Sequence, residues 1–150
     1  MFSLGMVGAG QFAGTFAKLF QLHPAVSEVV VTDLVPGRAQ ELVVQQHLAG
    51  VVDDVDALLA SDVHAVAIFT QRWTHGPLVV EALRAGKHVY SAVPMAFTVE
   101  EVQQIIEAVQ ETGLTYMMGE TSYYNPATVY ARRKLAEDAF GRVFYTEGDY

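Results

Sequence analysis

Gly8-Ala9-Gly10-Gln11-Phe12-Ala13 is the stretch whose reading decides the fold. It follows an apolar run, Phe2 to Val7, that reads as a buried strand, and it opens a segment that reads as a helix. Gly8 allows the tight strand-to-helix turn, and Gly10 lets backbone approach a pyrophosphate with no side chain in the way. Ala13 keeps helix and strand close-packed. Gln11 and Phe12 stand at the helix start, where free N–H groups face an anion. The next apolar strand, Glu28 to Thr32, ends in Asp33, about 20 residues beyond the glycines. A carboxylate there accepts hydrogen bonds from both ribose hydroxyls of an adenosine and repels a 2′-phosphate, so NAD is favoured over NADP. Asp33 can also be read as the start of the loop into Pro36-Gly37. Arg38 follows, placed to stack on adenine, to meet a 2′-phosphate, or to stand on a solvated helix face.

Working outward, apolar runs alternate with helical patterns. Strand candidates are Phe2–Val7, Val29–Thr32, Val51–Val52, Ala65–Thr70, His88–Ser91 and Thr115–Met118. Ala13, Phe16, Ala17 and Phe20 fall at helical spacing, as do Val102, Ile105, Ile106 and Val109. Thr98-Val99-Glu100-Glu101 is a capping box, Gly113 closes that helix, and Pro77 suits the first turn of another. Such alternation implies an α/β fold, a Rossmann-type doubly wound and mostly parallel sheet with the first strand at its centre. Residues 1–120 read as a dinucleotide-binding domain. Residues 121–150 read as a connector and the first helix and strand of a second, truncated α+β domain, with a helix from Ala127 to about Asp138 and an extended stretch Arg142–Tyr150. A strand edge left open there predicts self-association into a homo-oligomer.

At 150 residues the chain is long enough for a real core. No apolar run approaches the roughly 20 residues of a membrane span. The absence of a basic, cleavable leader, and of any cysteine, points to the cytoplasm. A net charge of −8 argues against nucleic acid, and Arg132-Arg133-Lys134 reads as a solvated helix face. Asp53, Asp54 and Asp56 begin a short helix and suit its positive end better than a metal.

The stretch Ala67-Ile68-Phe69-Thr70, His75, and Ala82-Leu83-Arg84-Ala85-Gly86-Lys87-His88-Val89 resembles the N-terminal half of the Gfo/Idh/MocA oxidoreductases. The order continues with Pro94, the Thr98–Glu101 helix start, Gly113, Gly119 and Pro126, so the resemblance spans essentially the whole chain. It implies a two-domain enzyme that binds NAD(P) in the first domain and holds a sugar, polyol or similar small molecule against the second. Members usually carry Glu-Lys-Pro where this chain has Ala92-Val93-Pro94. The family lysine hydrogen-bonds the substrate hydroxyl and cofactor ribose; valine can neither donate nor relay a proton. Lys87 belongs to an earlier step and does not replace it. The family's downstream catalytic histidine and aspartate would lie beyond Tyr150.

Thr70, Gln71 and Trp73 follow a strand at the sheet edge where ligands collect, and the resemblance puts the Thr70–Gln71 step against the nicotinamide ribose and diphosphate. His75 matches a family histidine; it reads equally as a proton-transfer group and as part of a helix cap beside Thr74. Tyr123 and Tyr124, in a polar turn, are candidates for the lost lysine's hydroxyl contact or for plain aromatic packing. Three functions remain open. The parent enzyme transfers hydride between nicotinamide and a CH–OH carbon, or it cycles a retained NAD in a glycosidase or lyase reaction, or the chain is a non-catalytic dinucleotide sensor.

Overall fold

The computed structural model describes residues 1–35 and 37–147. Its chain forms two compact units, Met1–Gly119 and Glu120–Tyr150. In the first, strands β1 (Phe2–Val7), β2 (Val26–Thr32), β3 (Gly50–Val51), β4 (Ala65–Ile68), β5 (His88–Ser91) and β6 (Tyr116–Met118) alternate with helices α1 (Gln11–Leu22), α2 (Arg38–Gln46), α3 (Val55–Ala60), α4 (His75–Arg84) and α5 (Val99–Thr112). The strands form one sheet in the order β3-β2-β1-β4-β5-β6, every neighbouring pair parallel. The fold is therefore the Rossmann-type doubly wound sheet. The order reverses between β1 and β4, which sets the crevice where such sheets take ligands.

Strand periodicity divides the core. Leu4, Met6, Val29, Val31 and Ala67 face one side, where Ala13 and Ala17 of α1 and Ala39 and Leu42 of α2 cover them. Val7, Val66, Ile68 and Val89 face the other, under Leu58 of α3, Val79 and Leu83 of α4 and Ile105 of α5. Each such large side chain removed from water stabilises the fold by about 1.5–3 kcal/mol. Ala13 and Ala17 bring α1 close to the sheet, and Phe12, Phe16 and Phe20 stack with Phe69 and Tyr90 along its flank. The capping box closes as the sequence implies: Thr98 Oγ1 accepts from Glu101 N–H at 3.2 Å, and Gly113 ends α5 at φ 68°.

Element ends differ in informative places. β2 begins at Val26, ahead of its β-branched run, because Phe2 pairs with Val26. β4 stops at Ile68, not Thr70. Phe69 N–H still reaches Val7 O at 2.8 Å, but Thr70 turns away into a 3₁₀ turn, Arg72–Thr74, tied by a 2.7 Å contact between the Thr70 and Thr74 hydroxyls.

In the second unit a 3₁₀ turn, Thr121–Tyr124, leads into α6 (Pro126–Ala136), capped by Asn125 Oδ1 on Ala127 N–H at 3.0 Å. α6 stops short of Asp138, which has left-handed φ 55° and breaks the helical path. Residues 142–147 pair with no strand among the described residues; residues 148–150 of the expected extended stretch lie outside the described residues. The strand edge from which self-association was expected is thus not formed among the described residues.

Candidate functional site

The glycine turn shows two different uses of glycine. Gly8 has φ 98°, and a Cβ there would lie 2.6 Å from the Phe69 carbonyl oxygen. Gly8 N–H meanwhile donates to Thr32 O at 2.9 Å. Gly8 is therefore needed by the protein itself, where the turn after β1 crosses the ends of β2 and β4. Gly10 is not: its φ of −74° suits any residue, and a Cβ there would meet nothing within 4 Å. That Cβ would instead fill the space in front of α1. The first turn of α1 has no side-chain cap and no acidic residue, so the amides of Gln11, Phe12 and Ala13 keep their donors free of side-chain acceptors.

The same holds around the crevice. α1, α2 and α4, which follow the three adjacent strands β1, β2 and β4, all lack a side-chain cap. α3, α5 and α6 are capped by Asp54, Thr98 and Asn125. Asp54 Oδ1 accepts from Ala57 N–H at 2.7 Å, so this acid serves the start of α3; among the described residues no group of three or more His, Asp or Glu side chains converges on a metal position.

Asp33 stands beside the glycine turn. One carboxylate oxygen accepts from Ala9 N–H at 2.7 Å and the other from Val35 N–H at 2.7 Å. Asp33 thus organises its own turn, as the loop reading expects, and is also fastened to Ala9. Each oxygen retains capacity for a further donor. Arg38 is the first residue of α2, behind Gly37 at φ 88°. It shares a cleft of about 710 Å3 with Ala9, Gly10, Gln11, Thr15 and Lys18. Thr70 backbone abuts Gly8 on the other side of the turn. Gln71 is exposed, and the Trp73 ring is 56% exposed. The structure thereby brings residues 8–13, Asp33, Arg38 and Thr70 to one edge of the sheet.

His75 is only 1% exposed, at the first position of α4. Its Nδ1 lies 2.7 Å from Pro94 O and its Nε2 3.1 Å from Thr70 O. Among the described residues it caps no helix amide, and both ring nitrogens face backbone carbonyls. Val93, beyond β5, is 44% exposed and precedes a cis peptide bond to Pro94. Ser91, fully buried just before it, pairs with the Tyr116 hydroxyl at 2.9 Å. Burial pushes the Tyr116 phenol above its ordinary value, partly offset by the Ser91 hydrogen bond. Tyr123 and Tyr124 lie in the second unit, ring centroids 5.1 Å apart and edge-on, with the Arg132 guanidinium 3.5 Å over Tyr123. The Tyr123 ring thus makes the contacts that aromatic packing expects. Sequence reasoning missed the partners of His75: nothing in the one-dimensional spacing marks Pro94 O as its acceptor.

The model of the Gfo/Idh/MocA oxidoreductase family, NAD-binding Rossmann fold, matches residues 2–120. The chain belongs to this family. It is 27% identical over 144 residues to 2,7-anhydro-N-acetylneuraminate hydratase of Escherichia coli K12, covering 95% of this chain and 38% of that protein. It is 28% identical over 145 residues to scyllo-inositol 2-dehydrogenase (NAD(+)) of Bacillus subtilis 168, covering 95% and 42%. Its fold matches scyllo-inositol dehydrogenase from Lactobacillus casei, solved with bound NAD(H) and scyllo-inositol, at TM-score 0.86 and 22% identity over 94% of this chain and 42% of that one. The chain spans about 40% of the length of the relatives it matches. No helix among the described residues is long and apolar enough to cross a membrane.

Proposed function

We propose that this Gfo/Idh/MocA chain binds NAD(H) at the carboxyl edge of its sheet and forms the dinucleotide-binding part of an oxidoreductase acting on a CH–OH group of a sugar, polyol or similar small molecule. The observation that carries the reading is Gly10: the protein's own packing leaves room for a Cβ there, in front of an uncapped helix start. A diphosphate fits that space and the α1 amides. Asp33, held by Ala9 N–H, takes the adenosine ribose and opposes a 2′-phosphate, which favours NAD over NADP. Arg38 lies along the adenosine side, and Thr70 and Gln71 along the nicotinamide side. Residues 1–120 form the dinucleotide domain, and 121–150 begin the next one; the compact units Met1–Gly119 and Glu120–Tyr150 support that division.

When bound, the nicotinamide supplies hydride acceptance or donation. The residues of this chain bind and orient: Gly10 and the α1 amides hold the diphosphate, Asp33 fixes the ribose, and the Thr70–Trp73 turn walls the far side. Val93 moves no proton, so the proton acceptor for the carbinol is another group. Calorimetric titration of the chain with NADH, NADPH and ADP-ribose tests this. Binding of NADH and ADP-ribose, with NADPH weaker, is expected; absence of binding by both NADH and ADP-ribose refutes the reading.

A second reading is favoured by Val93 together with the hydratase relative, whose named reaction is not a net oxidation. The parent would then cycle a retained NAD during elimination or hydrolysis of a sugar. Conversion of sugar without accumulation of NADH distinguishes it from simple dehydrogenation.

A further inference from the structure

The glycine turn and Asp33 lie over β1 and β2, so a dinucleotide anchored there must cross the β1–β4 reversal to place its second half over β4 and β5. Two connections border that half: residues 69–74, from β4 to α4, and residues 92–98, from β5 to α5. They touch through the start of α4. The buried His75 ring lies between their carbonyls, 2.7 Å from Pro94 O and 3.1 Å from Thr70 O. Beside it, Gly76 packs flush on Glu101, where a Cβ would fall 2.8 Å from Oε2 and 2.9 Å from the Glu101 Cβ. The same Glu101 oxygen accepts the Phe97 N–H at 2.8 Å. The second connection is thus held from two directions on the first two residues of α4.

We propose that His75 is a positioning residue whose imidazole, seated between Thr70 and Pro94, fixes the spacing of the two connections that flank the nicotinamide half of the dinucleotide. A buried histidine takes polar partners wherever it stands, and what matters is which elements those partners belong to. This one engages backbone oxygens 24 residues apart in sequence, both next to positions of the candidate site. A neutral imidazole carries one N–H, so it donates to one of the two carbonyls at a time, and the ring packs against the other between the two connections.

The proposal rests on NAD(H) binding, and its test separates the two. The full 150-residue chain is titrated calorimetrically with NADH and with ADP-ribose, which lacks the nicotinamide. His75→Leu should weaken NADH at least tenfold and leave ADP-ribose within twofold. His75→Gln, which restores one N–H to a backbone carbonyl, should recover part of the NADH loss. Gly76→Ala, which wedges Glu101 outward, should shift the same ratio in the same direction. A merely structural histidine would change both ligands together or neither, and that result overturns the proposal. If His75→Leu fails to fold by circular dichroism, His75→Gln decides: a selective NADH loss of threefold or more supports the role, and an equal change for both ligands overturns it. Wild-type chain that binds neither ligand overturns the NAD(H) reading itself.

Discussion

Gly8→Ala and Gly10→Ala should fail in opposite ways, although the two glycines stand two residues apart in the same turn. At Gly8 the backbone has φ 98°, where an L side chain costs about 1–2 kcal/mol. The new Cβ would also press on the Phe69 carbonyl at 2.6 Å, and backbone cannot rotate aside as a side chain can. Forcing β4 away from the turn adds about 1–3 kcal/mol, the usual cost of overpacking. The sum, about 2–5 kcal/mol, is a large part of the roughly 5–15 kcal/mol that holds a domain folded. At Gly10 the backbone has φ −74° and the Cβ meets no atom within 4 Å. Alanine there fits and restricts the unfolded chain, a gain of about 0.4–1 kcal/mol that its poorer fit at an N-cap offsets, so stability should change by less than about 1 kcal/mol. Its methyl group would stand where the diphosphate meets the α1 amides. Loss of one charge-assisted hydrogen bond is worth about 1.5–3 kcal/mol, so NADH affinity should fall at least about tenfold. Urea unfolding and calorimetric NADH titration of both variants read the two effects separately. Gly10→Ala binding NADH within twofold of wild type would refute the cradle, and Gly8→Ala as stable as wild type would refute the close approach.

Asp33→Ala should weaken NADH at least about tenfold and weaken NADPH less, narrowing their ratio; an unchanged ratio in titration would remove Asp33 as the ribose discriminator. Tyr116 makes a pH prediction. Burial raises its folded-state pKa above the unfolded value of 10.0, so its contribution is complete below pH 10.0 and is lost as pH rises through the folded value. Urea midpoints measured from neutral to alkaline pH should therefore fall more steeply for wild type than for Tyr116→Phe, which also costs about 1 kcal/mol at neutral pH by leaving the buried Ser91 hydroxyl unpaired. The 150-residue chain mixed with NAD and a polyol should form no NADH by absorbance, because Val93 takes no proton; measurable turnover would place a proton acceptor within these residues.

The fold was readable because its signals are local. Phe2–Val7 and His88–Ser91 appear as strands at the ends the apolar runs imply, and the Thr98–Glu101 box with Gly113 brackets α5. Strand ends that depend on a partner were not readable: β2 extends back to Val26 because Phe2 is there to pair, and β4 ends at Ile68 because Thr70 bonds to Thr74 instead. The stretch after Gly141 shows the converse: its β-forming residues form no strand over residues 142–147, because β propensity alone supplies no partner.

Sequence by itself determined the alternation of strands and helices and the glycine turn with Asp33 behind it. These depend on periodicity, on the φ freedom of glycine and on residue chemistry, all of which act over a few bonds. Tertiary structure alone decided which glycine serves the fold and which leaves room for a ligand, since Phe69 O crowds Gly8 and nothing crowds Gly10. It also decided what His75 touches. A histidine at a helix start has several roles open to it, and the two carbonyls that choose among them, Thr70 O and Pro94 O, meet its ring only when β4 and β5 lie side by side.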